Sequence, residues 1–570
     1  MDLRGLTEIE QEQLVARGCY AESWDGIAVS DDFKPSQLFA ARFSGRVEIG
    51  SGVKIVNSYV ANYSIGEGSV VEDVTRLECC GTTTFGNGVD VATINENGGR
   101  SVTLYSDITA QVAYMWALYR HRTKMVERFE TMAKGYCKES TMGIVGRSCR
   151  IIASNIIRNV ELRDEVVIEG AAKLESATLL DRAYIGVGVV AEGIIAAEDS
   201  IINGGASLKR AFVGERAIVA SGFSCVDSLI FSSSHLENGE AASIFAGAHT
   251  VSHHKSSLLI AGLFSFFNAG SGSNQSNHLF KSGAVHQAIH SRGCKFASGA
   301  YVMAPAREGA FTMVKGSHSR HHDTRLLPYS YLIDDGGRSM LMPAANLISY
   351  GTERDVAKWE QRDRRRVRRD VVSYAKYNPY SAWLMVQGLN TLNSLSERSG
   401  EAEEYIYERV VIRSSQLRRG VNIYNKAIAA SIGAMLSRGE LREEYCSCGE
   451  WCDVGGAYIV CSEVERIIDM VERGEYSSFE QVDNHFKAFA KQYDDYAHSW
   501  AYALLEQLLG ERASAERVQE MVDSAKQAEE YLLRQIESDR KRDFAESMAV
   551  GYGVDNEECK LEDFNKVRGI

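Results

Sequence analysis

Val47, Val53, Tyr59, Ile65, Val71 and Leu77 stand six residues apart. That period limits the fold more than any other feature of the chain. It fits neither the 3.6-residue repeat of an amphipathic helix nor the alternation of a half-buried strand. It fits a parallel β-helix, where each hexad is one short face and three hexads, about 18 residues, close a coil. The spacing returns at Ala171, Ala177, Ala183, Val189, Ile195, Ile201, Ser207, Val213, Val219 and Cys225. A narrow triangular coil takes one small inward side chain per face beside a larger aliphatic, and Val167, Leu179 and Ile185 supply the larger ones. Stacked coils bury one another, so no coil has to be stable alone.

At 570 residues the chain holds two or three domains. Glycine is plentiful at 50 and proline scarce at 5, which suits many tight corners where glycine supplies positive φ. The net charge of -13 argues against general nucleic-acid binding. No apolar run reaches the length of a transmembrane helix, so no membrane partner is expected. MDLRGLTEIEQEQLVARGC reads as an acidic amphipathic helix, not a signal peptide. The 12 cysteines show no secretory spacing, and a cytoplasmic location is expected.

The expected class is mainly β, a parallel β-helix with a helical insertion and a helical C-terminal domain. Residues 1–40 are expected to form a helical cap and residues 41–345 the β-helix. A helical excursion over residues 92–142 interrupts it, with Ala110, Ala113, Ala117 and Met125 near one face. Residues 350–570 are rich in charge and helix formers, and Val518, Met521, Ala525, Ala528, Leu532 and Ile536 keep a helical period.

Ten of the 13 histidines fall between residues 235 and 325, and histidine is the side chain best suited to proton transfer near neutral pH and to metal binding. His254 and His290 are 36 residues apart, as are His286 and His322, which places each pair two coils apart on one face. Ala269–Gly283 adds amides, hydroxyls, His278 and Lys281, and Val314–Arg325 adds Lys315, His318, Arg320, His321 and His322. These cations suit phosphate or carboxylate groups. A lone histidine is more often structural than catalytic, and His321-His322-Asp323 reads equally as a metal cluster or a salt-bridged knot. Asn95, Glu96 and Arg100 lie in NENGGR, where two glycines let backbone N–H groups approach an anion; a terminating turn is the plainer reading. Cys446, Cys448, Cys452 and Cys461 lack a standard zinc spacing and read as free thiols. QRDRRRVRRD (Gln361–Asp370) reads as a solvated helix face docking on acidic coils, and Tyr377–Trp383 as an aromatic dock between domains.

The hexads resemble those of the hexapeptide-repeat transferases. NENGGR, AYMWALYRHR (Ala113–Arg122), SNQSNHLFKSG (Ser273–Gly283), VKGSHSRHHDT (Val314–Thr324) and LMPAANLISYGTERD (Leu341–Asp355) resemble an uncharacterised bacterial family of long β-helix proteins. Its members are sometimes labelled similar to glucose-1-phosphate thymidylyltransferase. The resemblance implies a left-handed coil. It implies no nucleotidyl transfer, because the GxGTR-like loop and following lysine of such enzymes are absent. The leading expectation is acyl transfer from a coenzyme A thioester to a sugar or sugar-nucleotide acceptor. His278, then His286 and His290, are the expected general bases. Asn277 or backbone N–H groups would hold the oxyanion, with Lys281, Lys315, His318 and Arg320 on phosphate. The alternatives are zinc held by His249, His286 and His290, as in β-helix carbonic anhydrases, and a non-catalytic scaffold for a sugar nucleotide or a partner protein. A homotrimer is the default of the class.

Overall fold

The computed structural model describes residues 3–276, 287–400 and 402–542, with Glu558, Cys559, Glu562 and Lys566 beyond them. Its body is a left-handed parallel β-helix followed by a helical region. The strands Ile156–Leu162, Lys173–Leu179, Val190–Ala196, Ser207–Val213 and Ser224–Ile230 stack parallel and in register. Leu162, Leu179, Ala196, Val213 and Ile230 form one inward column with a step of 17 residues. Each strand bends across a corner at its middle residue. Asn159, Ser176, Gly193, Arg210 and Asp227 all lie in the left-handed region, at φ 48 to 63. Only one is glycine, and each other corner costs roughly 1 kcal/mol. Ion pairs between consecutive coils work against that cost: Arg210 with Asp227 at 2.5 Å and Arg182 with Asp199 at 2.9 Å. A second ladder, including Val167–Glu169, Tyr184–Ile185 and Ile218–Ala220, closes the third face.

The coil of this stretch is therefore 17 residues, not the expected 18. A strict six-residue count slips by one residue per coil. Ser207 is exposed and Ile201 half-buried, while the adjacent Leu208 and Ile202 point inward. Tyr59 likewise turns outward beside the buried Val60. The separation of His254 and His290 fails as a guide for a related reason. Phe264 pairs with His290 across 26 residues, so an insertion lengthens that coil.

The N-terminal cap is smaller than expected. Helix α1 (Glu8–Ala16) opens with a capping box, in which the Thr7 hydroxyl accepts from the Glu10 N–H and the Glu10 carboxylate accepts from the Thr7 N–H. By Tyr20–Ala21 and Ile27–Ser30 the chain already pairs with Arg42–Ile49. The excursion is wider than expected. It leaves after Arg76–Glu78 and returns at Gly143–Val145, which resumes on Tyr59–Ile65. It carries the hairpin Asp90–Ala92/Ser101–Thr103 and helices α2 (Ala110–Leu118) and α3 (Thr123–Lys134). Its turn at Phe85 accepts a 2.7 Å bond from the buried Thr178 hydroxyl.

The hairpin Tyr331–Asp335/Arg338–Met342 ends the prism. The helical region holds α4 (Tyr350–Arg362), α5 (Pro379–Ser399), α6 (Ser414–Leu436), α7 (Cys461–Arg473), α8 (Phe479–Lys491), α9 (Tyr493–Leu509) and α10 (Ala515–Arg542). Ala525, Ala528, Leu532 and Ile536 form the buried face of α10. A Cβ on Gly433 of α6 would stand 2.1 Å from the Ala525 Cβ, so α6 and α10 touch through a glycine. Among the described residues, no helix is long and apolar enough to cross a membrane.

Candidate functional site

The inward column changes character near the far end of the prism. Ala246, Phe264, His290 and Glu308 occupy successive coils in one register. His290 and Glu308 are both 0% exposed. His290 Nδ1 pairs with Glu308 Oε2, and His322 Nε2 lies 2.8 Å from Glu308 Oε1. Phe264 stacks on the His290 ring at 5.4 Å, and Phe296 meets it edge-on at 4.8 Å. Burial works against the Glu308 charge, but the charge of His290 and the hydrogen bonds from both histidines win and hold its pKa below the usual carboxylate range. Burial also disfavours the His322 cation, yet Glu308 outweighs it and raises the His322 pKa. His290 Nε2 is buried and unpartnered among the described residues. This trio is an ionic core sealed inside the coils.

The outward side of the same strands faces the helices. Phe245, Leu263, Ile289 and Arg307 form the outward column. Tyr114 of α2 meets Phe245 edge-on at 6.1 Å. Tyr114, Leu263, Ile289, Arg325, Trp383 and Asp453 line a cleft of about 460 Å³ between the prism, α2 and α5. Arg307 stands one coil beyond Ile289, which lines that cleft. Arg100, from the excursion hairpin, lies within range of the charges of Arg120, just past α2, and of Arg307. Burial lowers the Arg100 pKa, and repulsion from Arg120 and Arg307 lowers it further. All three are half-buried. Arg100 Nη1 donates to Ala117 O at 3.0 Å and Arg120 Nη1 to Ser101 O at 3.3 Å. These are carbonyl partners, and no carboxylate is recorded against the three guanidiniums among the described residues. Three like charges held together in partial burial make a ready anion site.

Arg292 braces the cleft floor. It is 2% exposed, with its guanidinium 3.6 Å from the Phe266 ring centre and 4.3 Å from that of Tyr458. It donates to Gly456 O at 3.1 Å and to Ser373 O. Beyond Arg362 the arginine-rich run forms no helix, a correction to the expected solvated helix face. Helix α4 ends at Arg362, and residues 363–378 cross the prism as an irregular strap. The docking on acidic coils is present: Arg369 N–H donates to Glu215 Oε1 at 3.0 Å, and its guanidinium to Glu198 and Asp107. Asp370 accepts the Ala110 N–H at the start of α2, at 2.7 Å.

Of the residues singled out in the sequence, Arg100 reaches the cluster. Asn95 closes a local turn by accepting the Asn97 N–H at 3.0 Å, and Glu96 lies exposed in that turn. Asn277, His278, Lys281 and His286 lie outside the described residues. His318 is buried, 2.8 Å from Ser339 Oγ, and burial lowers its pKa to about 4. Lys315 belongs to the third-face ladder and lies over Tyr331, so it is on a different face from Arg307. Arg320 is exposed. His249 sits at a corner with φ 56, its Nε2 2.9 Å from Tyr374 Oη, and burial lowers its pKa to about 3. Its surroundings are separate from those of His290. Among the described residues, no three His, Cys, Asp or Glu side chains gather as a metal site, and Cys446, Cys448, Cys452 and Cys461 are free thiols. Sequence reasoning missed Arg120 and Arg307, which come within range of Arg100 only once the excursion has folded and the coils are stacked.

A model described as a domain of unknown function (DUF4954) matches residues 52–396, and one described as a domain of unknown function (DUF6819) matches residues 439–570. An uncharacterized protein of Treponema pallidum (strain Nichols) is 22% identical over 638 residues, covering 95% of this chain and 87% of that protein. The first match takes in more than half of the chain, including the coils that carry Arg307 and the excursion that brings Arg100 and Arg120 to it, and the chain belongs to the DUF4954 family.

Proposed function

We propose that the protein is an acyltransferase of the hexapeptide-repeat kind, taking its acyl group from a coenzyme A thioester and passing it to a sugar or sugar-nucleotide hydroxyl or amine. The observation that supports the reading is that Arg100 lies within range of the charges of Arg120 and Arg307, and that Arg307 is the register neighbour of Ile289, which lines a cleft. Coenzyme A presents several phosphates, and guanidinium groups bind phosphate through paired, charge-assisted hydrogen bonds. The cleft between prism and helices takes the remainder of the donor. His290 and His322 are sealed in the prism, so the proton acceptor in this reading is His278, which precedes the cleft-lining Ile289 in the sequence. It removes the acceptor's proton as the acceptor attacks the thioester carbonyl, and the thiolate of coenzyme A leaves and is protonated. The test is release of free thiol from acetyl-coenzyme A in the presence of a panel of amino sugars and sugar nucleotides. The reading predicts acceptor-dependent thiol release that falls by at least about 100-fold in His278→Ala, the scale of general-base catalysis. Thiol release that is absent with every acceptor, or unchanged in His278→Ala, would count against it.

A further inference from the structure

A second, separate surface lies on the outer edge of the first coils. Tyr20 pairs in register with Arg42, and Arg42 with Tyr59. The register of the next coil, Val60 with Leu77, sets Arg76 beside Tyr59. Four consecutive coils thus present tyrosine, arginine, tyrosine and arginine in one outward column. All four line a groove of about 1040 Å³. Tyr20 is 61% exposed, and the Arg76 guanidinium lies 5.9 Å from the Tyr59 ring centre. Arg42 is exposed and has no ion pair recorded among the described residues.

We propose that this groove binds an extended neutral glycan, with successive sugar rings laid along the prism axis. Neighbouring strands stand about 4.8 Å apart, so the four rungs span roughly 14 Å. One sugar of an extended chain advances by about one rung. In a β-1,4-linked chain successive rings are turned over, which matches a ladder whose rungs alternate in kind. The tyrosine rings take the apolar C–H faces of alternate sugars, as aromatic rings take flat apolar surface generally. The arginine forks donate to pairs of hydroxyls on the sugars between. The walls add groups suited to hydroxyls. Asn57 Nδ2 donates to Asp73 Oδ1 at 2.7 Å, and Glu22 Oε2 accepts from Ser44 Oγ at 2.6 Å, leaving further acceptor positions on both carboxylates.

Charge decides between ligand classes. Arg42 and Arg76 are matched in the groove by Glu22 and Asp73, and Arg76 is also 3.3 Å from Glu78. A near-neutral groove does not gather a polyanion, so a neutral sugar chain fits better than a nucleic acid, whose affinity rests on uncompensated positive charge. The site is distinct from the arginine cluster and does not depend on acyl transfer.

The test uses the full chain with cellotetraose and with tetra-N-acetylchitotetraose, followed by calorimetry and tyrosine fluorescence. The expected result is saturable binding of one of the two, weakened at least about tenfold in Tyr20→Ala and in Tyr59→Ala. Tyr59→Phe and Arg307→Ala are expected to bind as the wild type does. Tyr20 is exposed, so an unchanged melting temperature in Tyr20→Ala separates loss of binding from loss of fold. No saturable binding of either sugar at millimolar concentration would overturn the proposal, as would equal affinity in wild type and Tyr20→Ala. So would preferential, salt-sensitive binding of a single-stranded oligothymidylate.

Discussion

Glu308 is the residue on which the far end of the prism depends. Replacing it with glutamine leaves His290 and His322 buried without their anion, and breaking a buried pair costs roughly 3 kcal/mol. The pH dependence has a defined sign. The folded pKa of Glu308 is lowered, so its contribution is present above its ordinary value of 4.5 and lost as pH falls through the folded value. The folded pKa of His322 is raised, so its contribution is present below the ordinary 6.5 and lost as pH rises through the folded value. The stability gap between wild type and Glu308→Gln is therefore expected to be widest between pH 4.5 and 6.5 and to narrow on either side, as read by urea unfolding. A gap that does not vary with pH would contradict the assignment. At this scale the sequence was partly legible. The crowding of histidines announced a special region, and Arg100 stood out beside two glycines. That His290 and His322 face inward was hidden, because the inner face depends on coil lengths that an insertion alters between Phe264 and His290.

Elements here are held by a few close approaches. Gly433 on α6 faces Ala525 on α10 with no room for a side chain. Gly433→Val is expected to force the helices apart and cost about 1–3 kcal/mol, the range for overpacking, visible as a lower melting temperature. Helices α2 and α8 meet at a half-buried acid. Thr109, the N-cap of α2, donates its hydroxyl to Asp483 Oδ1 at 2.7 Å. Burial raises the Asp483 pKa from 3.8 to about 7. The folded state then holds the proton more tightly than the unfolded chain, so this group's contribution falls as pH rises from 3.8 through about 7. Asp483→Asn is expected to remove that fall, so the variant should lose less stability than wild type between pH 4 and 8. Denaturation midpoints across that range check it, and parallel wild-type and variant curves would refute it. The α10 stripe was readable from its period. The coil length was not, because a 17-residue coil and an 18-residue one differ by a single corner residue, and positions such as Arg210 and Asp227 adopt a corner conformation without being glycine.

Across the whole molecule, the strap of residues 363–378 ties prism to helices through charge. Arg369 reaches Glu198, Glu215 and Asp107, and burial together with the charge of Asp370 raises the Glu215 pKa. Arg369→Met keeps the N–H that Glu215 accepts but is expected to leave Glu198 and Asp107 uncompensated and to lower stability by roughly 3 kcal/mol. Partial rescue by Glu198→Gln in calorimetric melting would confirm the link, and additive losses would deny it. The division into prism and helices could be read from the change of period and composition. The docking of QRDRRRVRRD on acidic coils could be read too, but the irregular strap could not, because that run has helix-forming composition and the acids it meets lie on coils far away in sequence. The same is true of the arginine cluster, whose members come from the excursion and from a coil near the prism's end. Titration of coenzyme A into the wild type and into the variant Arg100→Gln/Arg120→Gln/Arg307→Gln, followed by calorimetry, bears on it most directly. Hydrogen bonds to charged groups are worth roughly 1.5–3 kcal/mol each, so the account predicts saturable binding in the wild type that weakens by at least about 100-fold in the triple variant. Equal heats from the two proteins, or none from the wild type, would contradict it.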